Sequence, residues 1–189
     1  MAAIPPRRGP RRYRRARGFS LIELGIVIAV IAVLAAVVIY GRGFIAASRV
    51  TKAVEGMDTI RKSASTFAGL QGGSLSGITG PQLPVLSARS LLPALSAGNV
   101  WTVSGTASAP DSVSISDVRF GQLLNTQGQP TNVVAIQVQT PLGTMPQDVW
   151  TAVSTDSSLY RGGLGVDGFV CGTALPAVSA DHVIICFFL

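Results

Sequence analysis

Residues 17–40 read RGFSLIELGIVIAVIAVLAAVVIY, and the reading of this stretch decides the architecture. From Leu24 to Tyr40 no side chain is charged, and only Gly25 and the closing Tyr40 depart from plain aliphatic. At a rise of about 1.5 Å per residue, positions 19–40 reach roughly 33 Å as a helix, enough to cross a bilayer core. Upstream, residues 1–18 hold seven arginines (7, 8, 11, 12, 14, 15 and 17) and no acid. Such a tract on one flank keeps that flank in the cytoplasm, so the spacing predicts a span with its N-terminus inside and the rest of the chain outside.

The same tract accounts for the whole chain's charge. Across 189 residues there are 15 Lys and Arg against nine Asp and Glu, a formal net charge of +6. Without the first 18 residues, eight basic side chains face nine acids and the formal charge is −1. No basic patch is left for strong non-specific nucleic-acid binding by the remainder. An ordinary secretory signal would place a small-residue cleavage site after the apolar run, but here the run ends AAVVIYGRG. No cysteine stands near it for lipid attachment.

Glu23 is the exception inside the apolar run. A carboxylate there costs on the order of 2–4 kcal/mol in lipid. Either it lies near the cytoplasmic interface and stays hydrated, or it pairs with a cation inside an assembly. The span supplies no Lys or Arg. A new α-amino group at Phe19, made by cutting after Gly18, would supply the cation.

The run RGFSLIEL ahead of an aliphatic helix resembles the N-terminus of type IV prepilins and their pseudopilin relatives. In that family a basic leader ends in Gly, Phe follows, and a Glu stands five residues into the mature chain. Gly18, Phe19 and Glu23 fit position by position. The resemblance implies cleavage between Gly18 and Phe19 by a membrane aspartyl prepilin peptidase, N-methylation of Phe19, and assembly through Phe19 and Glu23. The 18-residue leader is more like the type IVb group, whereas Phe as first mature residue is more typical of type IVa and pseudopilins.

Beyond Gly43, apolar residues fall at Val50, Val54, Met57, Ile60, Ala64 and Phe67, a helical spacing with polar residues between. One helix is therefore expected from about Phe19 to about Ala68, apolar all round at first and then amphipathic. Gly41 and Gly43 interrupt it at the junction, each costing about 1 kcal/mol against Ala, and are read as a hinge. The tract Gly41-x-Gly43-x-x-Ala46 imitates a dinucleotide fingerprint but follows no strand. Residues 69–98, rich in Gly, Ser, Leu and Pro, read as a connection with a short helix near Ser87–Leu95. Strand-like runs follow at Asn99–Ser104, Ser112–Phe120, Asn132–Gln139, Gln147–Val153 and His182–Leu189. The expected class is α+β, a long N-terminal helix packed on an antiparallel sheet, which is also the pilin fold. The organisation is then a leader (1–18), a membrane or filament-core helix (19–43), an amphipathic half (44–68) and a β-rich head (69–189). Trp101, Phe120, Trp150 and Phe169 are core candidates, Trp150 equally a surface residue.

Cys171 and Cys186 enclose 16 residues counting both ends. Outside the cytoplasm a disulfide is expected, worth about 3 kcal/mol by loop entropy, the alternative being two buried thiols. The pair also matches the C-terminal disulfide loop of pilins. Two cysteines and His182, the one histidine, fall short of a four-ligand metal site, and His182 reads as a half-exposed strand residue. Gly163-Leu-Gly165-Val-Asp-Gly168 satisfies GxGxxG but opens no helix and reads as a surface loop. Asp111, Asp117, Asp148, Asp156, Asp167 and Asp181 are scattered; Asp167 reads as a solvated loop acid or, as in some pseudopilins, a calcium ligand. No phosphate loop, nucleophile elbow or H-E-x-x-H occurs, so no enzyme and no cofactor is expected.

The function implied is that of a structural subunit of a type IV pilus-like filament. It would be held in the inner membrane with a periplasmic head, then polymerised by a pilus or secretion machinery into an extracellular pilus. A minor pilin or a secretion pseudopilin in a periplasmic pseudopilus is the alternative from the same fold. A single-pass anchored periplasmic binding domain is the alternative from another class.

Overall fold

The computed structural model describes residues 19–105, 112–140, 145–160, 162, 165–171 and 181–189. The elements run α1 (Leu21–Leu70), α2 (Leu83–Ala88), β1 (Trp101–Ser104), β2 (Val113–Leu124), β3 (Pro130–Gln139), α3 (Met145–Val153), β4 (Gly165–Val166), β5 (Phe169–Val170) and β6 (His182–Phe188). The chain divides into two units, Met1–Arg42 and Gly43–Leu189. In the first, the described helix buries none of its apolar window and is long and apolar enough to span a membrane.

In the second unit, α1 lays Ala53, Met57, Ile60, Ala64 and Phe67 into the core, each less than 5% exposed, at spacings of four and three. Val50 and Val54 flank this stripe half-buried. The stripe covers an antiparallel sheet of order β1-β2-β3-β6. Facing residues lie in cross-strand rows: Phe120, Val134 and Phe187; Val118, Ile136 and Ile185; Ile115, Val138 and Val183. All nine are buried. The Phe67 and Phe120 rings stand 5.5 Å apart.

A bulge makes these rows possible. The β2–β3 register shifts between Ile115 and Asp117, leaving Ser116 as the extra residue. The inward set therefore passes from Val113 and Ile115 to Val118 and Phe120, a change of parity that simple alternation forbids.

Gly56 sets how closely α1 approaches the sheet. A β-carbon there would lie 2.7 Å from Val103 Cγ1 and 3.3 Å from Ile115 Cδ1. Helix propensity favours a larger residue by up to about 1 kcal/mol, whereas overpacking costs about 1–3 kcal/mol. Gly56→Val is expected to destabilise the head by about 2 kcal/mol, read as a lowered midpoint in chemical denaturation. An unchanged midpoint would refute the close contact.

Three expectations are corrected. Gln147–Val153 is not a strand but the body of α3: Val149 and Val153, four apart, are buried, and Trp150 between them packs half-buried. Its valines suggested a strand, but the buried period is that of a helix. The short helix lies at Leu83–Ala88 rather than 87–95, with Pro84 in its first turn. Ser90 at φ 57° ends it, and Leu91 N–H closes the turn on Leu86 O at 2.9 Å. Third, residues 165–170 form the β4–β5 hairpin, whose two turn residues, Asp167 (φ 45°) and Gly168 (φ 88°), are both left-handed. Of the core candidates Phe120 is buried, while Trp101, Trp150 and Phe169 are half-buried.

The far face of the sheet has its own small core: Val133, Ala135, Tyr160, Val166, Cys171 and Cys186. Val166 sits over Gly121, where a β-carbon would come within 2.9 Å of its Cγ1.

Candidate functional site

Phe19 and Ser20 precede α1 outside any helix or strand. Ser20 is the helix N-cap: its carbonyl accepts the first intrahelical bond from Leu24 N–H at 3.2 Å. Its Oγ accepts from Ile22 N–H at 3.3 Å. Glu23 reaches back, and its Oε2 accepts from Ser20 N–H at 2.9 Å. Ser20-Leu-Ile-Glu23 is therefore a capping box. It satisfies donors that lipid would leave without a partner, and it places a carboxylate at the positive end of the helix. The S-x-x-E spacing of Ser20 and Glu23 is the sequence signal for this cap. The Glu23 carboxylate thus holds the amide of Ser20, the residue next to Phe19, and Phe19 itself is exposed.

Residues 13–39 match the family model described as the prokaryotic N-terminal methylation motif. The chain carries the class III signal peptide of type IV pilins. The motif supports a precursor of pilin-like or pseudopilin type, and it implies a prepilin peptidase and an assembly machinery as partners. The apolar helix behind the signal fits an inner-membrane precursor. No curated protein and no solved structure matches the chain.

Of the residues tied to this signal peptide, Gly18 and the arginine tract lie outside the described residues. Gly41 and Gly43 stand within α1, and a β-carbon at either would meet nothing within 4 Å. Packing within the chain therefore does not require glycine at these positions. Cys171 and Cys186 are joined as a disulfide with Cα atoms 5.6 Å apart, and both are buried. The bond ties the segment after β5 to β6. His182 opens β6, half-buried, with Nδ1 2.9 Å from Asp181 Oδ1.

Asp167 is not a solvated loop acid. Its Oδ2 accepts from Arg119 Nη1 at 2.9 Å and from Gly80 N–H at 2.7 Å. Arg119 also donates Nε to Asp117 Oδ2 at 2.8 Å. This clamp links the hairpin, β2 and the loop after α1. The Arg119 guanidinium and the Gly80 amide hold the Asp167 carboxyl below the usual carboxylate range. Asp156 bridges to Arg61 at 2.9 Å, fixing the loop after α3 to α1. Asp148 lies in the first turn of α3. Asp111 lies outside the described residues. Among the described residues no three His, Cys, Asp or Glu side chains gather as a metal site.

Asp167→Asn keeps the left-handed turn but removes the charge. Losing a partly exposed, charge-assisted pair costs about 1–2 kcal/mol. Hydrogen exchange at β4–β5 should accelerate about tenfold at neutral pH. Asp167's folded pKa lies below its unfolded value near 4, so the clamp's contribution is complete above about pH 4 and fades as pH falls through the folded pKa. The difference between variant and parent should close in that acid range; a difference that persists there refutes the electrostatic clamp.

Proposed function

We propose that this chain is a structural subunit of a type IV pilus-like filament. The observation that supports this reading most directly is an apolar helix with none of its hydrophobic window buried by its own chain, led by a methylation signal. Such a surface is covered by lipid before assembly and by neighbouring helices afterwards. Residues 1–18 form the leader, which is removed after Gly18, and Phe19 becomes the methylated first residue. The helix over 19–43 forms the filament core, 44–68 carries the head, and 69–189 forms the head exposed first in the periplasm and then on the pilus.

Moving a helix from lipid to protein brings little net hydrophobic gain, so close packing and polar pairing select the register. The Glu23 carboxylate of one subunit pairs with the Phe19 amine of the next. A carboxylate has about four acceptor positions, so the capping bond to Ser20 leaves room for this partner. Gly41 and Gly43 act as a joint where the helix loosens on entering the filament.

The test is electron microscopy with mass spectrometry of sheared surface material from the producing cells. Filaments whose main component begins at Phe19 are expected. Filaments lacking this chain, or a chain found only as a membrane monomer, would overturn the reading.

A further inference from the structure

We propose that Phe44 and Ile45, at the start of the head unit, are a lipid contact that seats this end of the head in the headgroup layer of the membrane. Among the described residues from Gly43 to Phe67, these two are the large apolar side chains left exposed, at 84% and 54%. The apolar residues after them turn inward. Val50 and Val54 pack half-buried against the core, and Ala53, Met57 and Ile60 enter it. The head covers the rest of the stripe and leaves this turn open.

Chain reach names the partner. The uncharged run ends at Tyr40, and four residues cannot carry Phe44 more than about 14 Å from it. The polar layer of a bilayer is roughly 5–8 Å thick on each side of the hydrocarbon core, so a residue this close to the end of the span has that layer within reach. A ring and a branched aliphatic chain bury at the boundary between headgroups and acyl chains, as the apolar face of an interfacial helix does. In the sequence Arg42 stands two residues before Phe44, and a charge at that point suits the headgroup layer rather than the hydrocarbon core. The end of β1 belongs to the same surface, since Ser104 and Gly105 border one cleft with Phe44 and Ile45. Leu124 is the contrast. It is 61% exposed, but β2 pairs Val113 with Ser104 and carries Leu124 to its other end. At about 3.3 Å per residue that is more than about 30 Å from Val113. An apolar side chain of comparable exposure thus stands at the far end of the sheet, away from this turn.

The test uses the full chain in phosphatidylcholine nanodiscs loaded with one copy each. Both native cysteines are held in the disulfide, so an introduced cysteine takes a spin label alone. Ile45→Cys, Leu124→Cys and Val33→Cys are labelled separately, and electron paramagnetic resonance measures access to oxygen and to a water-soluble nickel chelate. The label at 45 is expected to meet the chelate about threefold less than the label at 124, and oxygen more, as an interfacial position does. Adding Phe44→Ser, which alters an exposed side chain and no core contact, should raise chelate access at 45 about twofold by removing the neighbouring anchor. Equal chelate access at 45 and 124, or no response to Phe44→Ser, overturns the proposal. So does protection at 45 that arises only in discs holding two copies, which would make a second chain the cover. The inference rests on the helix lying in the membrane, and the label at 33, in the middle of the apolar run, keeps the two apart. Protection at 33 with exposure at 45 overturns the lipid contact and leaves the span standing; exposure at both overturns both.

Discussion

Glu23→Ala is expected to give a chain that inserts in the membrane and loses its leader, yet yields at least a hundredfold fewer filaments. Two contributions add. Deleting one member of a buried ion pair costs about 3–5 kcal/mol, because the partner charge stays behind without compensation. That corresponds to a factor of roughly 10² to 10³ or more at each subunit contact. Losing the carboxylate bonded to Ser20 N–H removes a helix cap as well, worth about 1 kcal/mol. The larger contribution belongs to the assembly and the smaller to the subunit.

The capping box allows the two to be separated. Gln serves as well as Glu at the third helical position of such a box, because either side chain can reach back to the N-cap amide. Glu23→Gln therefore keeps the cap and removes the charge. If pairing with a neighbour's amine selects the register, Glu23→Gln fails to assemble nearly as badly as Glu23→Ala. Ser20→Ala, which removes only the hydroxyl contact to Ile22 N–H, assembles close to normally. Abundant filaments from Glu23→Gln would reassign Glu23 to helix capping alone.

The long apolar helix and the helical stripe to Phe67 were legible in the sequence because each depends on a period or a run within one segment. The inner face of β2 was not legible as one alternating set. The extra residue at Ser116 shifts the parity there, and a bulge is set by the partner strand rather than by the strand itself. The α3 segment was misread for a related reason. Val149, Trp150 and Val153 suit a strand by residue type, but the buried positions are four apart and pack on the core of the sheet. At the N-terminus Glu23 stands out as a charge among aliphatics, and the same carboxylate also caps the helix at Ser20 N–H, a second role that charge alone does not announce. Asp167 followed the same course. Asp-Gly between Val166 and Phe169 is a strong hairpin signal, but Arg119 lies 48 residues away, and no local pattern announces a clamp of that reach.

Substitution of Gly18 is expected to stop maturation outright. The bond proposed to be cut, between Gly18 and Phe19, precedes the N-cap Ser20 by one residue, so the first helical turn begins only after it. A glycine without a β-carbon lets the scissile carbonyl approach catalytic carboxylates closely, and a side chain at that position obstructs the approach. Gly18→Ala and Gly18→Leu should both retain the leader, with the bulkier variant leaving no mature product detectable by intact-mass measurement. The physical consequence goes beyond a missing cut. An uncut chain keeps seven arginines beside its helix, and stacking copies would crowd them against those of their neighbours. It also lacks the Phe19 amine that is proposed as the counter-charge for Glu23 of the next subunit. On the proposed pairing, cleavage removes a repulsion and creates an attraction in one step, and the uncut variants should form no filaments even at high expression. A mature N-terminus at Phe19 in Gly18→Leu, or filaments built from uncut chains, would sink both the cleavage assignment and the proposed role of the new amine.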